Sequence, residues 1–314
     1  MNVSELKNKI LGGDTTALAR AITLVESQRL EDWDAAKELL SQFTSVAKQS
    51  KRLGFSGPPG VGKSSFIEQL GTQIVKRGET VAVLAIDPSS GKTGGSILGD
   101  KTRMEQLSRD PRAFVRPSPS RGHLGGVTSS MPAVILLCEA AGYQWILIES
   151  VGVGQSEVEL SQMVDVFTLL SQPGAGDELQ AIKKGILEYV DIILVNKADR
   201  DPKLVTTTIQ QHLSSLKILG ASSVVVQPCS ALTGAGVDKA LELFDDFFQN
   251  YDYGKRSDFA KYWFQSLILS EFRKRVAFDP KLQILIREFE QQIVAGKLLP
   301  TEAVDALFRS LGLR

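Results

Sequence analysis

Nine residues, GPPGVGKSS at positions 57–65, constrain this chain more than any other stretch. They carry the GxxxxGK[ST] spacing between an apolar run, RLGFS, and an amphipathic run, KSSFIEQLGTQIVKRG. A glycine-rich turn from strand into helix lets successive backbone N–H groups curl around an anion, and the helix N-terminus adds positive potential. Gly57, Pro58, Pro59, Gly60, Val61, Gly62, Lys63, Ser64 and Ser65 are therefore read as a phosphate-binding loop. In such a loop Lys63 reaches the β/γ-phosphates and the Ser64 hydroxyl faces Mg²⁺.

The surroundings of the loop set the fold class. From about 52 to 250, the short β-rich runs RLGFS, TVAVLAID, AFVRP, WILIES, VFTLLSQ, DIILVNK and SVVVQP alternate with amphipathic segments. Parallel strands need helical crossovers, so this alternation predicts an α/β domain, a mostly parallel central sheet flanked by helices. Ligands of such sheets bind beyond the carboxyl ends of the strands. Residues 1–48 read as a helical lead-in, with Leu18, Ile22 and Val25 and then Trp33, Leu39, Leu40 and Phe43 at helical spacing. The nucleotide domain spans 49–250, and 251–314 form an all-α tail. Asp279 and Pro280 punctuate that tail, and Pro300, with Thr301 as N-cap, opens its last helix.

Four further segments carry chemistry. Asn196, Lys197, Ala198 and Asp199 follow the apolar strand DIILV, where a base would be read. A carboxylate at Asp199 can accept from both the N1–H and the exocyclic amine of guanine, a donor pair adenine lacks, so GTP and GDP are the expected ligands. CSALTGAG, beginning at Cys229 and including Ser230 and Ala231, resembles the Ser-Ala loop that supports guanine from the other side. WILIES ends at Glu149, an acidic strand end suited to Mg²⁺, and Gly152 gives an ExxG spacing whose backbone N–H could sense the γ-phosphate. In AIDPSSGKTGGSILGDKTRMEQL, Asp87 ends a strand and Asp100 starts a helix, two carboxylates on a glycine-rich loop fit for Mg²⁺ or water positioning. Capping is the alternative role for Asp100. Val153 follows Gly152 where a water-orienting glutamine would stand, which predicts slow intrinsic turnover.

Composition excludes little. The 314 residues are 43% hydrophobic and 23% charged, with formal net charge zero, and neither a basic-aromatic stretch for nucleic acid nor a basic amphipathic face for a membrane stands out. The two cysteines, Cys138 and Cys229, suggest neither a disulfide framework nor a zinc site, and His123 and His212 lack partners at ligand spacing. The start MNVSELKNKILGGD has no secretory pattern, so a cytoplasmic location is expected.

With these motifs together, the chain resembles the methylmalonyl-CoA mutase-associated GTPases, the MeaB/ArgK family in the metallochaperone-like branch of P-loop GTPases. The likeness runs nearly end to end through ALARAITLVES, SGPPGVGKSS, AIDPSSGKTGGSILGDKTRM, FVRPSPSRGHLGGVT, ESVGVGQSE, GAGDELQAIKKG and VNKAD. The chain departs from the family pattern at SSMPAV after GGVT, and at His123, where a small residue is usual. The resemblance implies a GTPase that gates adenosylcobalamin delivery to, and protection of, its mutase, as a homodimer built through the helical tail. It assigns Lys63 and Ser64 to phosphate and Mg²⁺, Asp87, Asp100 and Glu149 to the metal and hydrolytic centre, and Asn196 and Asp199 to guanine. It also makes Lys183, in SQPGAGDELQAIKKG, part of a further switch facing the mutase. The rival functions are an ArgK-type nucleotide-dependent kinase or ATPase linked to amino-acid transport, a metal-insertion GTPase, and a non-hydrolysing nucleotide-binding scaffold.

Overall fold

The computed structural model describes residues 2–27, 29–43, 50–87, 104–119, 130–150, 156–174 and 184–312. Seven strands, β1 (Lys51–Ser56), β2 (Val81–Asp87), β3 (Ala113–Pro119), β4 (Trp145–Glu149), β5 (Val166–Ser171), β6 (Ile192–Val195) and β7 (Val225–Pro228), form one sheet in the order β3-β2-β4-β1-β5-β6-β7. Each of the seven runs read as strands is present, and every pairing is parallel. The order explains the sequence pattern. Strands β1, β4, β5 and β6 are covered on both faces, and their near-continuous apolar runs bury accordingly. Because all strands point one way, the loops leaving β1, β4, β5, β6 and β7 share one edge of the sheet.

Helix α4 (Lys63–Lys76) leaves the phosphate loop and returns along the sheet. Phe66, Ile67, Leu70 and Ile74 recur at helical spacing and are fully buried in the cluster that holds Phe55, Trp145 and Phe244. Phe55 meets Phe66 at a centroid separation of 5.8 Å and Phe244 at 6.1 Å, the latter edge-on. Burial of such rings stabilises by roughly 1.5–3 kcal/mol each, so the start of α4 is held by its own core face.

The lead-in forms α1 (Val3–Leu11), α2 (Thr15–Val25) and α3 (Leu30–Ser41). Asp14 caps α2 by accepting from the N–H groups of Thr16 and Ala17, and α2 packs on α3 and on the almost wholly buried α5 (Met131–Ala140). The remaining helices among the described residues are α6 (Ser156–Ser161), α7 (Lys184–Leu187), α8 (Pro202–Ile218), α9 (Val237–Gln249), α10 (Arg256–Phe278), α11 (Pro280–Val294) and α12 (Pro300–Ser310).

The chain divides into two compact units, Met1–Phe259 and Ala260–Arg314. At the base of the first, Arg52 makes a two-toothed ion pair with Glu139 at 2.8 and 2.9 Å, and Arg256 reaches Asp165 at 2.9 and 2.5 Å and Glu139 at 3.3 Å. In the second unit Phe272 lies against Phe308 with centroids 5.8 Å apart, while Leu282 and Ala303 are buried. Asp279, read in the sequence as punctuation between helices, caps α11 through the N–H groups of Lys281 and Leu282. Thr301 does not cap α12: Pro300 takes the first helical position, which moves the N-cap to Leu299, and Glu302 accepts from the Leu299 N–H at 3.0 Å. The fixed φ of proline outranks the hydroxyl of threonine here.

Candidate functional site

The phosphate loop is shaped by glycines at two points where no side chain fits. Gly57 has φ +143°, and a Cβ there would lie 2.3 Å from the Leu170 carbonyl oxygen of β5. Gly62 has φ +99°, and its Cβ would strike Asn196 Nδ2 at 2.5 Å. The loop is thus pressed on both flanks, by β5 and by the segment after β6.

Lys63 is buried, 8% exposed, and its Nζ donates to the carbonyls of Gly57 at 2.7 Å and Pro58 at 3.3 Å. Burial lowers its pKa, while the carboxylates of Glu149 and Glu157 act in the opposite direction. A cation withdrawn from water inside a loop of backbone N–H groups is poised for an anion. Ser64 Oγ donates to Glu149 Oε1 at 2.8 Å, so the first turn of α4 and the end of β4 meet where two hard oxygens sit side by side.

Asn196 is 1% exposed and ties three loops together. Its Nδ2 donates to the Val61 carbonyl at 2.8 Å, its Oδ1 accepts from the Ala231 N–H at 2.9 Å, and its own N–H donates to the Ser171 carbonyl at 2.8 Å. Lys197 is the single non-glycine with positive φ among the described residues, at 61°. That conformation directs Nζ to the Gly60 carbonyl at 2.6 Å and to Gln172 Oε1 at 2.7 Å, and such strain persists where surrounding contacts over-determine it. Asp199 Oδ1 accepts from Ser230 Oγ at 2.5 Å, a bond that holds the carboxyl below its ordinary pKa. The Ala198 N–H to Cys229 carbonyl bond, 3.0 Å, joins the same two loops through the backbone.

The structure therefore brings together Lys63, Ser64 and Glu149 on one side, and Asn196, Lys197, Asp199, Ser230 and Ala231 on the other, linked through Gly60, Val61 and Gly62. Pro58 and Pro59 lie in the loop and Ser65 in the first turn of α4. Asp87 ends β2 at the same sheet edge. Asp100, Gly152 and Lys183 lie outside the described residues, as does His123. His212 sits in α8, buried, with one ring nitrogen 2.9 Å from Ser171 Oγ, and burial pulls its pKa down to about 4. Sequence reasoning missed Glu157, 5% exposed, whose Oε1 accepts from Ser56 Oγ at 2.5 Å. Its signal was available as the closing acid of ESVGVGQSE, but its partner is 101 residues away in the chain.

A parallel sheet that delivers a GxxxxGK[ST] loop from its middle strand, with an acidic strand end against the loop serine and an NKxD segment cross-bonded to a Ser-Ala loop, defines a P-loop GTPase. A family model described as methylmalonyl Co-A mutase-associated GTPase MeaB matches residues 18–280. The chain belongs to this family, and it is a GTP hydrolase. It is 40% identical over 332 residues to the mouse methylmalonic aciduria type A homolog, mitochondrial, with 99% of this chain and 80% of that one covered. It is 45% identical over 251 residues to GTPase ArgK of Escherichia coli, covering 78% and 76%. A crystal structure of an LAO/AO transport system kinase superposes with a TM-score of 0.72 at 30% identity, covering 99% and 98%.

Proposed function

We propose that this GTPase serves an adenosylcobalamin-dependent methylmalonyl-CoA mutase as a G-protein chaperone, gating cofactor loading and protecting the loaded enzyme. The observation that carries this reading is the family match, which extends through the whole nucleotide domain, together with a mouse relative named for methylmalonic aciduria. Asp199 reads the guanine N1–H and amine, Asn196 locks the base loop to the phosphate loop, and Ser230 and Ala231 support the base. Lys63 and the backbone N–H groups of Gly60–Ser65 hold the β- and γ-phosphates. Ser64 and Glu149 offer two hard oxygens beside that loop, the small protein ligand set Mg²⁺ takes when phosphates and water complete its shell. Asp87 and Asp100 join them, and Gly152 and Lys183 report loss of the γ-phosphate. Bound there, Mg²⁺ would neutralise charge on the phosphate oxygens; the chain's own groups orient the nucleotide and exclude competing bases.

The helical tail is read as the homodimer interface. Phe264, Ile268 and Leu269 of α10 are 66%, 51% and 61% exposed, and Trp263, Phe272 and Phe289 are only half-buried. Contiguous exposed apolar surface marks a contact site, and the commonest assembly of a soluble chain is a symmetric pair of copies. Light scattering at micromolar concentration is expected to give twice the chain mass, and a monomer would reject the interface.

The chaperone role is tested on the mutase itself. Holo-mutase turning over its substrate is expected to lose activity more slowly with the chain and GTP present than with the mutase alone. Lys183→Ala is expected to leave GTP affinity nearly intact while removing mutase-stimulated hydrolysis; full stimulation of that variant would take Lys183 out of the mechanism.

A further inference from the structure

The phosphate loop is bracketed by two serine–glutamate pairs. Ser64, directly after Lys63, donates to Glu149 at 2.8 Å, and Ser56, directly before Gly57, donates to Glu157 at 2.5 Å. The first pair belongs to the site already described. The second is more deeply sealed: Ser56 exposes none of its surface and Glu157 only 5%. A carboxylate withdrawn from water persists when hydrogen bonds and an opposite charge compensate it. Ser56 supplies a hydrogen bond, and the loop's own cation, Lys63, is the opposite charge, with burial acting against its ammonium and the two glutamates favouring it. Lys63 Nζ meanwhile rests on the carbonyls of Gly57 and Pro58, the residues that follow Ser56 in the chain.

We propose that Glu157 is a positioning residue of the phosphate site: held by Ser56, it is a fixed negative charge at the β1 end of the loop that retains Lys63 in the nucleotide-free protein and opposes the phosphates of the bound nucleotide. Two consequences follow from its placement. Before nucleotide arrives, the lysine stays inside the loop instead of turning to solvent. Once nucleotide is bound, the carboxylate weakens phosphate binding, which favours release of GDP after hydrolysis. The same carboxylate therefore prepares the site and keeps it from trapping its product.

Glu157→Gln separates charge from shape, because the amide oxygen still accepts from Ser56. In equilibrium titrations with Mg²⁺, GDP is expected to bind the glutamine variant about tenfold more tightly than the parent, as removal of a nearby like charge predicts. Guanosine, which lacks phosphates, is expected to bind both equally, and Glu157→Asp, which keeps the charge, is expected to stay near the parent. A structural role alone would weaken GDP and guanosine together and lower the unfolding midpoint, and that result would overturn the proposal. If the glutamine variant does not fold, Ser56→Ala combined with Glu157→Met exchanges the hydrogen-bonded pair for apolar groups of similar shape and carries the same expectation. GDP affinity unchanged or weakened in a folded, charge-free variant, or tightened equally in the aspartate variant, would also overturn it.

Discussion

Replacement of Lys63 by alanine is expected to reduce GTP hydrolysis by about 10²- to 10³-fold, the scale of losing one preorganised charge at a transition state. Lys63 is the buried cation of the phosphate loop, and it is already oriented, with Nζ on the Gly57 and Pro58 carbonyls. Those bonds are exchanged for phosphate oxygens on binding, so the variant loses attraction for the β- and γ-phosphates while the guanine contacts stay in place. GDP binding should weaken more than guanosine binding. The fold should persist, because α4 is secured by Phe66, Ile67, Leu70 and Ile74 and not by its first residue. Phosphate release measured on the folded variant decides the matter: a parental rate would mean that this loop is not where phosphate is cleaved.

Asp199→Asn is expected to move the preference from guanine to xanthine. The Asp199 carboxyl is kept ionised by the Ser230 hydroxyl and is acceptor-only, matched to the paired donors on guanine. An asparagine presents one donor and one acceptor, which suits xanthine, whose C2 position carries a carbonyl in place of the amine. Each charge-assisted hydrogen bond contributes about 1.5–3 kcal/mol, so GDP affinity should fall about a hundredfold and xanthosine diphosphate should gain. Competition titrations with the two diphosphates check this. A variant that still prefers GDP would show that the base is read elsewhere.

The parts of this molecule legible in the sequence are those with local causes. The strand–loop–helix around Lys63 is encoded in consecutive residues, and the alternation of apolar runs with amphipathic ones carried the sheet because parallel strands need crossovers. Asp279 and Pro280 were readable as a break between helices for the same reason, and the partners Asp279 caps are two and three residues away. What escaped depends on distance in the chain. Asn196 is read as part of a base loop, yet its side chain spends its hydrogen bonds on Val61 and Ala231, 135 and 35 residues away. Glu157 finds Ser56, and Arg256 finds Asp165, through packing that no spacing rule contains. Thr301 shows a local miss of another kind: two helix-start signals stood side by side, and proline geometry prevailed over hydroxyl capping.

The resemblance to mutase-associated GTPases contributed what residues alone do not, the partner proposed above. Its physical counterpart is an arrangement in which the phosphate and base loops are cross-bonded at Asn196 and Lys197. These bonds join the loop that would hold the phosphates to the loop that would hold the base.

Hydrolysis of GTP in the service of a methylmalonyl-CoA mutase, as proposed here, is tested by initial rates of phosphate release from GTP and from ATP, for the purified chain alone and with the mutase added. Release from GTP is expected to be slow for the chain alone and faster when the mutase is present, and release from ATP negligible in both cases. ATP consumed as readily as GTP, or a GTP rate indifferent to the mutase, would contradict that proposal.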